Sequence, residues 1–95
     1  MIYEWSAGKA AANLDKHGIS FEEASTVFLD PLAITFPDVD HSEDERREIT
    51  IGHTGKQELV FVSHCERGGR IRMIGARLAT RKERKQYEEG IGEDI

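Results

Sequence analysis

The sequence has little cysteine: Cys65 stands alone, so no internal disulfide can form, and a reducing cytoplasm is the expected compartment. It also lacks a long apolar run. The longest is Leu59-Val60-Phe61-Val62, against the roughly 20 residues that a membrane span requires, so no membrane partner is expected. Met1-Ile2-Tyr3-Glu4-Trp5 carries no basic stretch followed by an apolar one, and no signal peptide is expected. There is no internal repeat, low-complexity tract or linker. Nor is there a Gly-x-Ser-x-Gly elbow, a phosphate-cradling glycine loop, an EF-hand or a His-x-x-x-His pair. These absences argue against nucleophilic-serine hydrolysis, nucleotide binding through a glycine loop and metal binding; no metal and no cofactor are expected.

What is present suits one globular domain over residues 1–95. Apolar residues make up 38% and charged residues 33% of the chain, enough for a single modest core. Ile2 to Trp5 reads as a short strand or extended entry. Ser6 is placed to cap a helix that runs through Leu14 and stops at Lys16-His17-Gly18. Ser20-Phe21-Glu22-Glu23 reads as a capping box opening a second helix, with Phe21, Ala24 and Phe28 on one stripe and Asp30-Pro31 as its stop. Strands are expected over Leu32–Phe36, Arg46–His53, Glu58–His64 and Ile71–Arg77, the last three joined as hairpins. In the last strand, simple alternation puts Ile71, Met73, Gly75 and Arg77 on one side. A second capping box, Thr80-x-x-Glu83, opens an almost wholly polar helix through Glu88, and a frayed tail follows from Gly90. The expected fold is therefore α+β: two N-terminal helices, an antiparallel sheet of about four strands, and a C-terminal helix, with the helices largely on one face.

Net charge is −5, but the charge is unevenly spread. Arg67, Arg70, Arg72, Arg77, Arg81, Lys82, Arg84 and Lys85 share their segment with one acid, Glu83, while the rest of the chain holds five basic and 17 acidic residues. Such asymmetry can present a positive face to a polyanion in spite of an acidic isoelectric point. The plainer reading is a solvated strand edge and a solvated helix.

RNA carries its own nucleophile, the 2′-hydroxyl, so its cleavage requires neither a covalent residue nor a metal. It requires a base, cations for the crowded dianionic phosphorane and an acid for the departing 5′ oxygen. Arg77 closes the last strand, and Arg84 and Tyr87 share a face of the last helix. Packed beside the strand end, they would converge on one phosphate. Those three, with His17 and Lys9, are the candidate catalytic residues. Arg70, Arg72, Arg81, Lys82 and Lys85 are candidate RNA-binding cations, and Trp5 a candidate base-stacking surface. The competing readings are structural: a helix-end dipole contact for His17, a packing pair for Arg84 and Tyr87, a core position for Trp5. His41, among Asp38, Asp40, Glu43, Asp44 and Glu45, reads as part of a solvated acidic loop.

The ordered set Trp5, Lys9, Asn13, Lys16-His17-Gly18-Ile19-Ser20-Phe21-Glu22-Glu23-Ala24, Phe28-Leu29-Asp30-Pro31 strongly resembles the BrnT family of bacterial toxins. The likeness continues through His41-Ser42-Glu43-Asp44-Glu45-Arg46, Ile51-Gly52, Ile74-Gly75-Ala76-Arg77, Glu83-Arg84 and Tyr87. The resemblance implies a RelE-like ribonuclease fold and metal-independent RNA cleavage that inhibits translation. It also implies a BrnA-type antitoxin that binds the toxin and meets operator DNA on the complex's behalf. Arg77 and the Arg84/Tyr87 helix would belong to the active face. Two positions depart from the pattern: Ser6 where aspartate is usual, and Gly75 where serine is common. The alternative is a catalytically weak or inactive RNA- or antitoxin-binding module that acts as a transcriptional corepressor.

Overall fold

The computed structural model describes residues 2–42 and 45–90. Of the tail expected from Gly90 on, residues 91–95 lie outside the described residues, as does the Glu43-Asp44 part of the acidic loop. The elements are β1 (Ile2–Glu4), α1 (Ala7–His17), α2 (Phe21–Ser25), β2 (Ile34–Pro37), β3 (Arg47–His53), β4 (Leu59–Arg67), β5 (Arg70–Leu78) and α3 (Arg81–Glu89). Single turns of 3-10 helix lie at Thr26–Leu29 and Val39–His41.

Local chemistry sets the helix ends. Ser6 Oγ accepts from the Lys9 amide at 3.1 Å to start α1. Gly18, at φ 71°, closes α1 with its N–H on the Leu14 carbonyl. Ser20 caps α2 through the Glu23 amide at 3.0 Å, yet the reciprocal half of the expected capping box is not made. The Glu23 carboxylate instead accepts from Thr54 Oγ1 at 3.3 Å and pairs with Lys56. The second box is complete: Thr80 accepts from the Glu83 amide while Glu83 Oε1 accepts from the Thr80 amide. Helix α2 is shorter than expected, and its 3-10 continuation brings Val27 into the core beside Phe21 and Ala24.

The expected four-stranded antiparallel sheet is instead a five-stranded mixed sheet of order β1-β5-β4-β3-β2. Strand β1 pairs with β5 in parallel, Tyr3 opposite Ile71, and the other pairs are antiparallel. Gly68 and Gly69, at φ 57° and 78°, form the two-residue turn between β4 and β5, where two successive left-handed residues match the twist of the hairpin.

The sheet also departs from simple alternation. The β4–β5 register runs Ser63 to Gly75 and then His64 to Met73, so Ile74 is a bulge residue. As a result Met73 and Ala76 both enter the core beneath α1 and α2, with Val60 and Val62, while Arg77 stacks on Phe61 on the other face. The earlier placement of Met73 and Arg77 on one side is corrected by this one extra residue. Asn13 anchors the irregular strand: buried in α1, it accepts from the Ala76 amide at 3.0 Å and donates to the Ala76 and Ile19 carbonyls at 2.9 Å.

The helices do not share one face either. Helices α1 and α2 cover the Val60/Val62 side. Helix α3 lies against the opposite side, where Tyr87 and Ala79 pack on a second cluster of Phe36, Ile49, Ile51 and Leu59. Gly52 is needed at a close approach, since a Cβ there would lie 2.9 Å from Ala33 Cβ and 3.3 Å from Asp30 Oδ2.

Candidate active site

The face that carries α3 also carries a groove of about 460 Å³. Alternation fixes its floor: Arg47 and Ile49 of β3 and Phe61 and Ser63 of β4 project to the same side, next to Arg77 of β5. One rim is the 38–41 turn, with Asp38, Asp40 and His41; the other is Glu83 of α3. The turn is fastened to the start of β3. The Asp38 amide donates to the Arg47 carbonyl at 2.9 Å, and Ser42 Oγ accepts from the Arg47 amide at 3.0 Å.

Arg77 is held on three sides. Its guanidinium lies 4.0 Å from the Phe61 ring centroid. Nη1 and Nη2 donate to the two Glu83 oxygens at 2.8 and 2.9 Å, and Nη1 also reaches the Leu78 carbonyl at 3.3 Å. A guanidinium has five N–H groups, and these contacts leave the Nε–H and one Nη2–H for a bound group. The Glu83 hydrogen bonds raise the Arg77 pKa further, against a smaller opposing effect of burial. Burial pushes the Glu83 carboxyl up, but Arg77 and Thr80 outweigh it and hold Glu83 below the usual carboxylate range.

Arg47 offers the groove's second guanidinium. Its Nε is buried without a hydrogen-bond partner among the described residues, the Glu45 carboxylate standing off at 3.5 Å. An unsatisfied buried donor favours an incoming acceptor. His41 Nδ1 sits 3.1 Å from each Asp38 oxygen. The imidazole is largely exposed, whereas the Asp38 side chain is only 15% exposed. Among the described residues no three His, Cys, Asp or Glu side chains are grouped as a metal site would require.

Of the residues singled out from the sequence, only Arg77 lines this groove. Tyr87 faces elsewhere: its hydroxyl donates to Asp30 Oδ2 at 2.8 Å and lies 3.0 Å from His53 Nδ1. Burial, then the Asp30 carboxylate, pushes the Tyr87 pKa up to about 12. Arg84 is exposed on α3, as are Arg81, Lys82 and Lys85, and among the described residues none of the four is in an ion pair. The expected convergence of Arg77, Arg84 and Tyr87 on one phosphate is therefore absent: helix α3 turns Glu83, not Arg84, toward Arg77. Lys9 and His17 are exposed at opposite ends of α1, across the sheet from the groove. Trp5 is half-buried, edge-on to Phe21 at 5.8 Å. Arg70 and Arg72 both pair with Glu4 at the β1 edge, at 3.7 and 3.1 Å.

His41, Arg47, Ser63 and Glu83 are groove residues that the sequence reading did not select. The signals were present. Asp38 and His41 are three apart in a turn, and strand alternation aligns Arg47 with Ile49 and Phe61 with Ser63. The acidic neighbours of His41 masked the first signal.

The molecule is thus a small mixed α+β domain that gathers two guanidiniums, three carboxylates, an imidazole and a hydroxyl in one open groove. Comparison with known proteins narrows the class. The family model described as "Ribonuclease toxin, BrnT, of type II toxin-antitoxin system" matches residues 5–83, and the chain belongs to that family. The crystal structure of the Brucella abortus ribonuclease toxin BrnT has a similar fold. It superposes with a TM-score of 0.66 over 85% of this chain and 100% of that one, at 22% identity. No curated protein sequence matches the chain.

Proposed function

We propose that this chain is a RelE-like, metal-independent endoribonuclease that cleaves RNA through the 2′-hydroxyl in the Arg77 groove and so inhibits translation in the cytoplasm. The observation that carries this reading is the pairing of a pre-oriented arginine with a second guanidinium, Arg47, whose buried Nε has no hydrogen-bond acceptor among the described residues, the Glu45 carboxylate lying 3.5 Å away. A phosphate would supply one. Glu83 fixes the Arg77 plane so that its two remaining donors present a fork to phosphate oxygens without further ordering. Arg47 would share the charge of the phosphorane, and Ser63 lies close enough to the groove floor to hydrogen-bond the substrate. Arg81, Lys82, Arg84 and Lys85 would continue the path for the RNA backbone along α3. Family membership makes the protein one half of a toxin–antitoxin pair. We propose a BrnA-type antitoxin as its partner, with operator DNA contacted only through that partner.

The chemistry is tested by incubating free RNA with the purified protein in EDTA. Cleavage should persist and leave 2′,3′-cyclic or 3′-phosphate ends. Activity lost in EDTA and restored by magnesium or manganese would overturn the mechanism. Arg77→Ala should abolish cleavage, and Arg77→Lys should restore only part of it, since lysine has no fork. Because Arg77→Ala also strands Glu83, a stability loss of about 1–3 kcal/mol is expected, and activity should be measured at a temperature where both proteins are folded.

A further inference from the structure

We infer that His41 is the proton-transfer residue of the groove and that Asp38 is its positioning residue; this rests on the proposed RNA cleavage. Three observations converge. His41 lines the same groove as Arg47 and Arg77. Its Nδ1 is centred between the two Asp38 oxygens, 3.1 Å from each, and a carboxylate cannot donate, so Nδ1 carries the hydrogen; in the neutral ring this leaves the lone pair on Nε2. The Asp38 side chain is mostly buried, and among the described residues His41 is the only side chain with which its carboxylate makes a hydrogen bond or ion pair. The 38–42 turn is in turn tied to Arg47, which holds the imidazole near the guanidinium that would bind the phosphate.

The step balances with these groups alone. His41 Nε2 takes the proton from the RNA 2′-hydroxyl as O2′ bonds to phosphorus. The phosphorus–O5′ bond breaks, leaving a 2′,3′-cyclic phosphate, and the imidazolium returns the proton to the departing 5′ oxygen. Asp38 stabilises the imidazolium between the two transfers, as a carboxylate does for a catalytic histidine in other hydrolases. The charged groups that share the groove with His41 are Asp38 and Asp40 on its own rim, Arg47 and Arg77 at the floor, and Glu83 on the other rim.

His41→Ala should lower the cleavage rate about 100-fold or more, while binding of a non-cleavable 2′-deoxy analogue of the same sequence stays within about twofold. Added imidazole should restore part of the His41→Ala rate, which a purely structural role would not allow. Asp38→Asn should lower kcat on the order of 10-fold with little change in KM, and Asp38→Glu should recover part of the loss. If the wild-type protein cuts RNA and His41→Ala cuts it equally fast, the inference falls and the ribonuclease reading stands. A parallel loss of analogue binding would make His41 a binding residue and also overturn the inference. If the wild-type protein binds RNA but never cuts it, in buffer or in a translating extract, both fall.

Discussion

A single histidine away from the groove sets how this protein should respond to acid. His64 is buried on β4, its Nε2 2.7 Å from Thr50 Oγ1, which is itself 2.8 Å from Thr35 Oγ1, with Phe28 edge-on to the ring at 5.0 Å. Burial holds the His64 imidazole at about 4, below the ordinary 6.5. As pH falls below 6.5 the unfolded chain takes up a proton that the folded chain refuses. The stability contributed by the neutral ring is thus fully present above about pH 6.5 and drains away toward pH 4. Between pH 7.5 and 5.0 this amounts to about 2 kcal/mol. Urea unfolding at the two pH values should show that loss in the wild type and a much flatter response in His64→Gln, whose amide can still bond Thr50. Equal losses in the two proteins would place the acid sensitivity elsewhere. Asp30 and Glu83, both held below the usual carboxylate range, add the same sign of effect at lower pH.

Helix α3 has no fully buried residue, and two polar devices fix it. The Thr80/Glu83 box and the Arg77 pair hold its start, while Tyr87 fastens its far half to Asp30. Burial raises the Asp30 pKa, but donors from the His53 and Leu32 amides and from Tyr87 more than reverse this and keep the carboxylate ionised. Tyr87→Phe removes one charge-assisted hydrogen bond and should cost about 1.5–3 kcal/mol. Hydrogen exchange should then quicken in α3 well before it quickens in β3 to β5; uniform acceleration would mean that α3 is not separately anchored. At this scale the sequence was partly readable. The caps at Ser6, Gly18 and Thr80 mark helix ends by local chemistry, and the structure places those ends there. The β1–β5 pairing and the Ile74 bulge depend on partners far along the chain, which residue spacing alone does not encode. The same limit explains the site: Arg77 stood out as a strand-end cation, but the bulge decides which face it joins. Only with that face known do His41, Arg47 and Ser63 become its neighbours. Tyr87 was legible as a special position and not as a clasp, because Asp30 and His53 are remote in sequence.

Across the whole molecule, the basic segment proves to be divided. Arg70 and Arg72 share the one carboxylate of Glu4 at one edge, Arg77 is engaged with Glu83, and α3 alone displays a cluster of cations without ion pairs among the described residues. If RNA uses this helix, as proposed above, and a BrnA-type antitoxin covers it too, their binding should be mutually exclusive, and antitoxin association should slow as salt rises. Replacing Arg81, Arg84 and Lys85 together with glutamate should weaken both interactions in one folded protein. Unchanged antitoxin affinity alongside lost cleavage would show that the two surfaces are separate.

The parallel seam between β1 and β5 bears on the order in which the molecule can be completed. Tyr3 has no strand to lie against until Ile71 exists, so the residues that begin the sheet must wait for those that nearly end it. Every other strand pairs with a neighbour joined to it by a far shorter stretch of chain. On a ribosome the β2–β3–β4 meander can assemble early, while β1 stays without a partner. Arg77 comes near the end of the strand that β1 needs, and Glu83 after it. Shape and chemistry are therefore finished by the same final stretch of synthesis. A chain interrupted before it would hold most of a sheet and none of the paired arginine.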